Sequence, residues 1–291
     1  MNINWFPGHM KKTRELIQKN VKLVDLVVEL VDARIPYSSR NPEMKDLTAG
    51  KKRILVFNKC DLADPVQTKK WKAHYESQGE TVLLVTAFSP KDITRFLKMM
   101  DEIGQEQLEK NKSKGMISQQ VRAMIIGIPN VGKSTFINAL VGKKGAKTGN
   151  RPGVTKGKQW LKLPGRLQLL DTPGVLWPKF DDQQVALHLA FTGAIRDEIL
   201  DTETLALRMI ERLQVIDCQA LETRYPVDAD PERPAIEVMD DIARKRGCIL
   251  RGNEPDYTRV ANLMLDEYRK GKLGRITFDR VEELENETQS S

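Results

Sequence analysis

Gly127-Ile128-Pro129-Asn130-Val131-Gly132-Lys133-Ser134 meets every fixed position of the pattern G-x-x-x-x-G-K-[ST]. The apolar run Ala123-Met124-Ile125-Ile126 before it reads as a buried strand. Thr135-Phe136-Ile137-Asn138-Ala139-Leu140-Val141 after it reads as a helix closing near Gly142. Strand, glycine loop and helix in that order make a phosphate-binding loop, because successive backbone N–H groups and the positive end of the helix face one anion. In such a loop Lys133 reaches the β- and γ-phosphates and the Ser134 hydroxyl holds Mg²⁺. Asn130, Val131, Gly132 and Thr135 line the phosphates. The implied ligand is a nucleoside triphosphate.

Outward from this loop, apolar runs alternate with helical stretches. Before it come Val24 to Val31, ending at Asp32-Ala33-Arg34-Ile35-Pro36, then Ile54 to Phe57, ending at Asn58-Lys59-Cys60-Asp61, and Val82 to Val85, ending at Thr86-Ala87. Helices are expected over Lys11–Asn20, Pro65–Ser77 and Lys91–Lys110, with a polar linker from Asn111 to Ser118. After the loop, Gly142 to Lys158 is basic, glycine-rich and read as a mobile loop. Gln159–Leu163 and Leu167–Leu170 form two strands around Pro164-Gly165, the second ending at Asp171-Thr172-Pro173-Gly174. Polar motifs at the ends of alternating strands imply an α/β doubly wound sheet.

Asn58-Lys59-Cys60-Asp61 matches N-K-x-D. A carboxylate at Asp61 accepts from both the N1–H and the 2-amino group of guanine, and adenine lacks both donors. An unpaired buried charge costs about a hundredfold or more in binding, so the nucleotide is guanine. Asn58 is expected to tie this loop to the phosphate loop, and the Lys59 stem to pack along the base. Thr86-Ala87 resembles a loop that offers a backbone N–H to the guanine oxygen, with Phe88 where lysine is usual. Asp171-Thr172-Pro173-Gly174 matches D-x-x-G, which assigns Asp171 to Mg²⁺ through water and the Gly174 N–H to the γ-phosphate. Thr155 is the candidate switch threonine joining Mg²⁺ in the triphosphate state, and Thr148 is its competitor.

The base loops therefore precede the phosphate loop, the reverse of an ordinary small GTPase. This order is similar to that of the circularly permuted GTPases, and the chain is identified as a member of their bacterial ribosome-biogenesis group. The resemblance includes Asn4-Trp5-Phe6-Pro7-Gly8-His9-Met10, the Asp32–Pro36 motif and Trp177-Pro178-Lys179-Phe180, and it covers nearly the whole chain. It implies a P-loop GTPase sheet over 1–178, an all-α C-terminal domain over 179–282 that contacts RNA and ribosome, and a polar tail at 283–291. It also implies an assembly factor that binds the large ribosomal subunit precursor, rRNA and ribosomal proteins included. GTP hydrolysis would be stimulated by that particle and would drive release.

Charge agrees with a polyanionic partner. The chain carries +7, but residues 190–291 carry −7 and residues 1–189 carry +14. Such a field favours phosphates through counterion release, while RNA contact in the acidic part is restricted to patches such as Arg244-Lys245-Arg246 and Arg269-Lys270-Gly271-Lys272. Three scattered cysteines point to a reducing cytoplasm. No apolar run approaches the roughly 18 residues of a membrane span, and a monomer off the ribosome is expected. Tyr257, Val260, Ala261, Met264, Leu265 and Tyr268 share one helical face, as do Ile236, Met239 and Ile242.

Val175 occupies the place after D-x-x-G where many small GTPases carry a water-orienting glutamine, so the free enzyme is expected to be slow. Two substitutes are candidates. His9 could reach the γ-phosphate when the partner docks, since histidine handles protons near neutral pH. Asn130 resembles the asparagine of K⁺-activated GTPases. The rival reading is a nucleotide-gated RNA-binding module with negligible turnover.

Overall fold

The computed structural model describes residues 3, 8–113, 120–142, 159–164, 166–177 and 180–284. Thr148, Thr155 and the side chain of His9 lie outside what is described.

Six strands form one sheet in the order β3-β2-β1-β4-β6-β5: β1 Leu26–Asp32, β2 Lys52–Asn58, β3 Thr81–Leu84, β4 Val121–Ile126, β5 Gln159–Lys162 and β6 Leu167–Asp171. All pairs are parallel except β5 with β6. Every residue of the central β1 is buried, Glu29 included, which is why these strands read as largely apolar runs: helices cover both faces. Parallel strands put their C-terminal ends on one edge. That edge collects Asp32, Asn58 to Asp61, Thr86-Ala87, the 127–133 loop and Asp171 to Gly174.

The helices around the sheet are α1 Gly8–Asn20, α2 Glu43–Leu47, α3 Pro65–Ser77, α4 Pro90–Ser113 and α5 Lys133–Val141. Pro65 opens α3 where its missing N–H costs nothing, and the Asp64 carboxylate accepts from Val66 N–H at 2.8 Å. Helix α4 runs three residues past the expected Lys110, and the remainder of the expected linker lies outside the described residues. Phe96 of α4 meets Phe136 of α5 edge to face at 5.0 Å, which seats the helix of the phosphate loop.

The chain then becomes helical: α6 Gln183–Phe191, α7 Thr202–Arg224 (non-helical at Asp217), α8 Ala235–Arg246 and α9 Tyr257–Arg269. Helix α9 buries Val260, Ala261, Met264, Leu265 and Tyr268, five of the six residues of the expected stripe; Tyr257 at its start is half-buried, its hydroxyl donating to Asp240 Oδ1 at 2.7 Å. Helix α8 departs from expectation at Ile236, which is 43% exposed, whereas Ala235, Val238, Met239, Ile242 and Ala243 are buried. At about 100° per residue those five span an arc of about 140°, and Ile236 falls just outside it. No described helix is long and apolar enough to cross a membrane.

After α9 the chain turns back to the sheet. Phe278 N–H donates to Arg34 O at 2.8 Å. The Asp279 carboxylate accepts from the N–H groups of Tyr37 and Ser38, both at 2.7 Å, and from Ser38 Oγ at 2.7 Å. His188 Nδ1 lies 2.6 Å from the same carboxylate, and its ring stacks on Phe278. His188 is thus a buried structural contact between α6 and the C-terminal segment. Glu283, expected to begin a polar tail, pairs with Arg212 of α7 at 2.6 Å.

Candidate nucleotide site

The two loops named from sequence are clamped together across the intervening β1. Asn58 Nδ2 donates to Val131 O at 2.9 Å, and Lys59 Nζ donates to Asn130 O at 2.6 Å. Gly132 makes the crossing feasible: its φ is +99°, and a Cβ there would sit 2.4 Å from Asn58 Nδ2. Cys60 N–H donates to Val85 O at 3.4 Å, which holds the base loop to the end of β3. Asp61 is exposed at the tip of this loop.

Lys133 is buried, and its amine donates to Gly127 O at 3.0 Å and Ile128 O at 2.9 Å. An ammonium has three donors, so one remains for a ligand in the loop. Burial pushes this amine down to about 8, with Asp171 acting the other way. Burial likewise pushes the Asp171 carboxyl up to about 6, opposed by Lys133. Asp171 Oδ1 is buried with no hydrogen-bond partner among the described residues. An orphaned carboxylate oxygen beside a phosphate loop is a hard donor of the type that Mg²⁺ prefers, so the residues present fit that ion.

Asp171-Thr172-Pro173-Gly174 lies directly against the loop. Thr172 Oγ1 donates to Ile125 O at 2.6 Å. A Cβ at Gly174 would fall 2.7 Å from Pro129 N, a clash with backbone that cannot swing aside. Gly174→Ala is therefore expected to push the D-x-x-G turn off the loop, lowering GTP affinity about tenfold with GDP affinity nearly unchanged. Equilibrium titration with both nucleotides checks it, and an equal loss for both would refute a γ-phosphate role. Val175 is 2% exposed, its side chain turned into the core, so the residue after Gly174 has no access to a water.

Of the pair Thr86-Ala87, the Thr86 N–H is taken by Asp92 Oδ2 at 3.0 Å. Of the two residues in that loop, the Thr86 N–H is therefore not the one available to the guanine oxygen. Phe88, in the same turn, is 82% exposed.

Four further residues, none assigned to the nucleotide site from sequence, contribute to it. Asp32 closes β1 as a buried charge hub, accepting from Arg34 Nε at 2.9 Å, Arg34 Nη2 at 2.8 Å and Lys59 Nζ at 2.9 Å. Burial alone would raise its carboxyl, but Arg34 and Lys59 outweigh this and hold it well below the usual carboxylate range. Arg34 also lies over the Tyr268 ring of α9 at 5.1 Å. Gly193, after α6, accepts from Asn130 Nδ2 at 2.6 Å. Arg269 of α9 secures that turn through Phe191 O and Ala190 O, both at 2.9 Å, while pairing with Asp197.

A phosphate loop, a guanine-type base loop and a D-x-x-G turn on one edge of a parallel sheet, with the base loop first in the chain, define a circularly permuted P-loop GTPase. Residues 122–238 match the family described as 50S ribosome-binding GTPase. The chain is 44% identical to ribosome biogenesis GTPase A of Bacillus licheniformis, over 98% of this chain and 100% of that protein. It is 46% identical to the Priestia megaterium protein of the same name, over 98% and 99%. The GDP-bound structure of TM YlqF is similar with a TM-score of 0.67 at 30% identity, covering 92% of this chain and 99% of that one. The chain belongs to the ribosome biogenesis GTPase A family and is a GTPase.

Proposed function

We propose that the protein is a GTP-driven assembly factor for the large ribosomal subunit, slow alone and stimulated by the particle it binds. The observation that carries this reading is the hydrogen bond from Asn130 in the phosphate loop to Gly193 O. It joins the nucleotide site to the helical part, so a particle seated on residues 179–282 and the state of the phosphate loop bias each other. The +14 of residues 1–189 supports rRNA as the polyanion, and the family description names the 50S ribosome.

In this reading Asn58, Lys59, Cys60 and Asp61 hold guanine, with the Ala87 N–H on its oxygen. Asn130, Val131, Gly132, Lys133, Ser134 and Thr135 hold the phosphates, and Gly174 N–H meets the γ-phosphate. Ser134, Asp171 and Thr155 would hold Mg²⁺, which neutralises phosphate charge when bound. Positioning and charge account for phosphoryl transfer, and with Val175 buried no group on the D-x-x-G turn orients water. His9 and a K⁺ ion held by Asn130 are the proposed substitutes.

Single-turnover hydrolysis tests the reading. The free protein is expected near or below roughly 10⁻⁴ to 10⁻³ s⁻¹, rising at least about tenfold with large-subunit precursors and more in K⁺ than in Na⁺. Equal rates with and without particles would overturn stimulation, and equal rates in the two salts would remove K⁺.

A further inference from the structure

We propose that Arg275, in the C-terminal segment, is a positioning residue for guanine recognition. It rests on the reading of Asn58 to Asp61 as the base loop. Asp61 makes no side-chain hydrogen bond among the described residues, so the backbone beneath it sets where its carboxylate points. Asn58 and Lys59 pin the start of that loop to the phosphate loop. The second half is held from the other end of the chain. Arg275 Nη2 donates to Cys60 O at 2.9 Å and Arg275 Nε donates to Ala63 O at 3.0 Å, so one guanidinium spans the carbonyls on either side of Asp61 and Leu62. Ile276 N–H donates to Leu62 O at 3.2 Å. Thr277 Oγ1 accepts from Asp64 N–H at 3.1 Å and donates to Ala33 O at 3.2 Å.

A planar fork suits this task. It presents two N–H donors in fixed relation, so it sets the distance between two carbonyls, which a lysine point charge does not. The Ile276 N–H and the Thr277 hydroxyl, both bonded to backbone groups, keep the segment docked whatever residue 275 is. Removing Arg275 therefore loosens the Cys60–Ala63 turn without undocking the segment. The same segment reaches α7, where Arg280 Nη2 donates to Ile216 O at 2.9 Å. A partner that moves α7 would thus act on the grip on guanine.

The test compares GDP with IDP on the full chain by calorimetric titration. Hypoxanthine keeps the N1–H of guanine but lacks the 2-amino donor. A well-placed Asp61 therefore prefers GDP by about tenfold or more. Arg275→Ala is expected to bring that preference to about threefold or less, with IDP affinity falling less than GDP affinity. Lys70→Ala, which removes an ion pair to Glu282 of the same segment away from the loop, should keep the wild-type preference. Should Arg275→Ala not fold, Arg275→Lys is measured in its place, and a reduced preference is again the expected result. A wild-type preference in the Arg275 variant overturns the inference, as does an equal collapse in Lys70→Ala. A wild-type protein that does not discriminate between GDP and IDP would instead refute the base-loop reading beneath it.

Discussion

Asp32→Ala is expected to lower folding stability by about 3–5 kcal/mol, the range for removing one partner from a buried ion pair. Asp32 and Arg34 are each 1% exposed, and Lys59 shares the same carboxylate. Without Asp32, two cations remain in low dielectric with Arg34 almost fully enclosed, and among the described residues no other carboxylate lies within ion-pair distance of them, Asp61 acting only at longer range. Chemical denaturation measures the effect, and a loss under about 1 kcal/mol would show that water or rearrangement compensates. Arg34→Ala on top of Asp32→Ala should cost less than the sum of the single changes, since the second removes the charge the first exposed. The carboxyl is held below its usual range in the fold, so its contribution is present above the ordinary carboxylate pKa. It is lost only as pH falls through the lowered value. At neutral pH the full effect is therefore seen.

Lys133→Met should do the opposite. Its amine is held below its ordinary value by burial, so at neutral pH the folded state carries a charge it would shed more readily than the unfolded chain. Methionine keeps the unbranched stem and removes that charge. The two carbonyls it leaves, Gly127 O and Ile128 O, are less costly to under-satisfy than donors. Stability of the nucleotide-free protein is thus expected to stay within about 1 kcal/mol of wild type. GTP hydrolysis should nonetheless fall at least about a hundredfold, the scale for removing a preorganised charge from a phosphoryl clamp. Thermal unfolding and single-turnover kinetics on the same preparation separate the two. Hydrolysis within tenfold of wild type would show that Lys133 does not contact the transferred phosphate.

Much of the fold was legible because its signals are local. The run before Gly127, the glycine loop and the helix after it are consecutive, so each constrains the next. The run into Asn58 ends as a strand at that residue, and Pro65 to Ser77 is the helix expected from its proline start. Ile236 was misplaced because a three-residue spacing leaves the position of a helix's buried arc undetermined at its edges. Neighbouring elements decide it. Asp32 was visible as part of a motif at a strand end but not as a charge hub, since nothing local distinguishes such a hub from a solvated turn.

The residues in order were enough for the chemistry of the loops and their sequence along the chain, hence a permuted sheet with guanine-type and phosphate-type loops at the ends of its strands. Asn58 was expected from sequence to tie the two loops, as its bond to Val131 O does. The other links that hold the loops in register came from the packed chain: Asn130 on Gly193, Lys59 on Asp32, and Arg275 across Cys60 and Ala63. These partners lie between 27 and 215 residues apart in the chain. Hydrophobic periodicity acts over a few turns of helix or one strand. Which distant backbone a side chain meets depends on the order of strands in the sheet and on where the helical part packs.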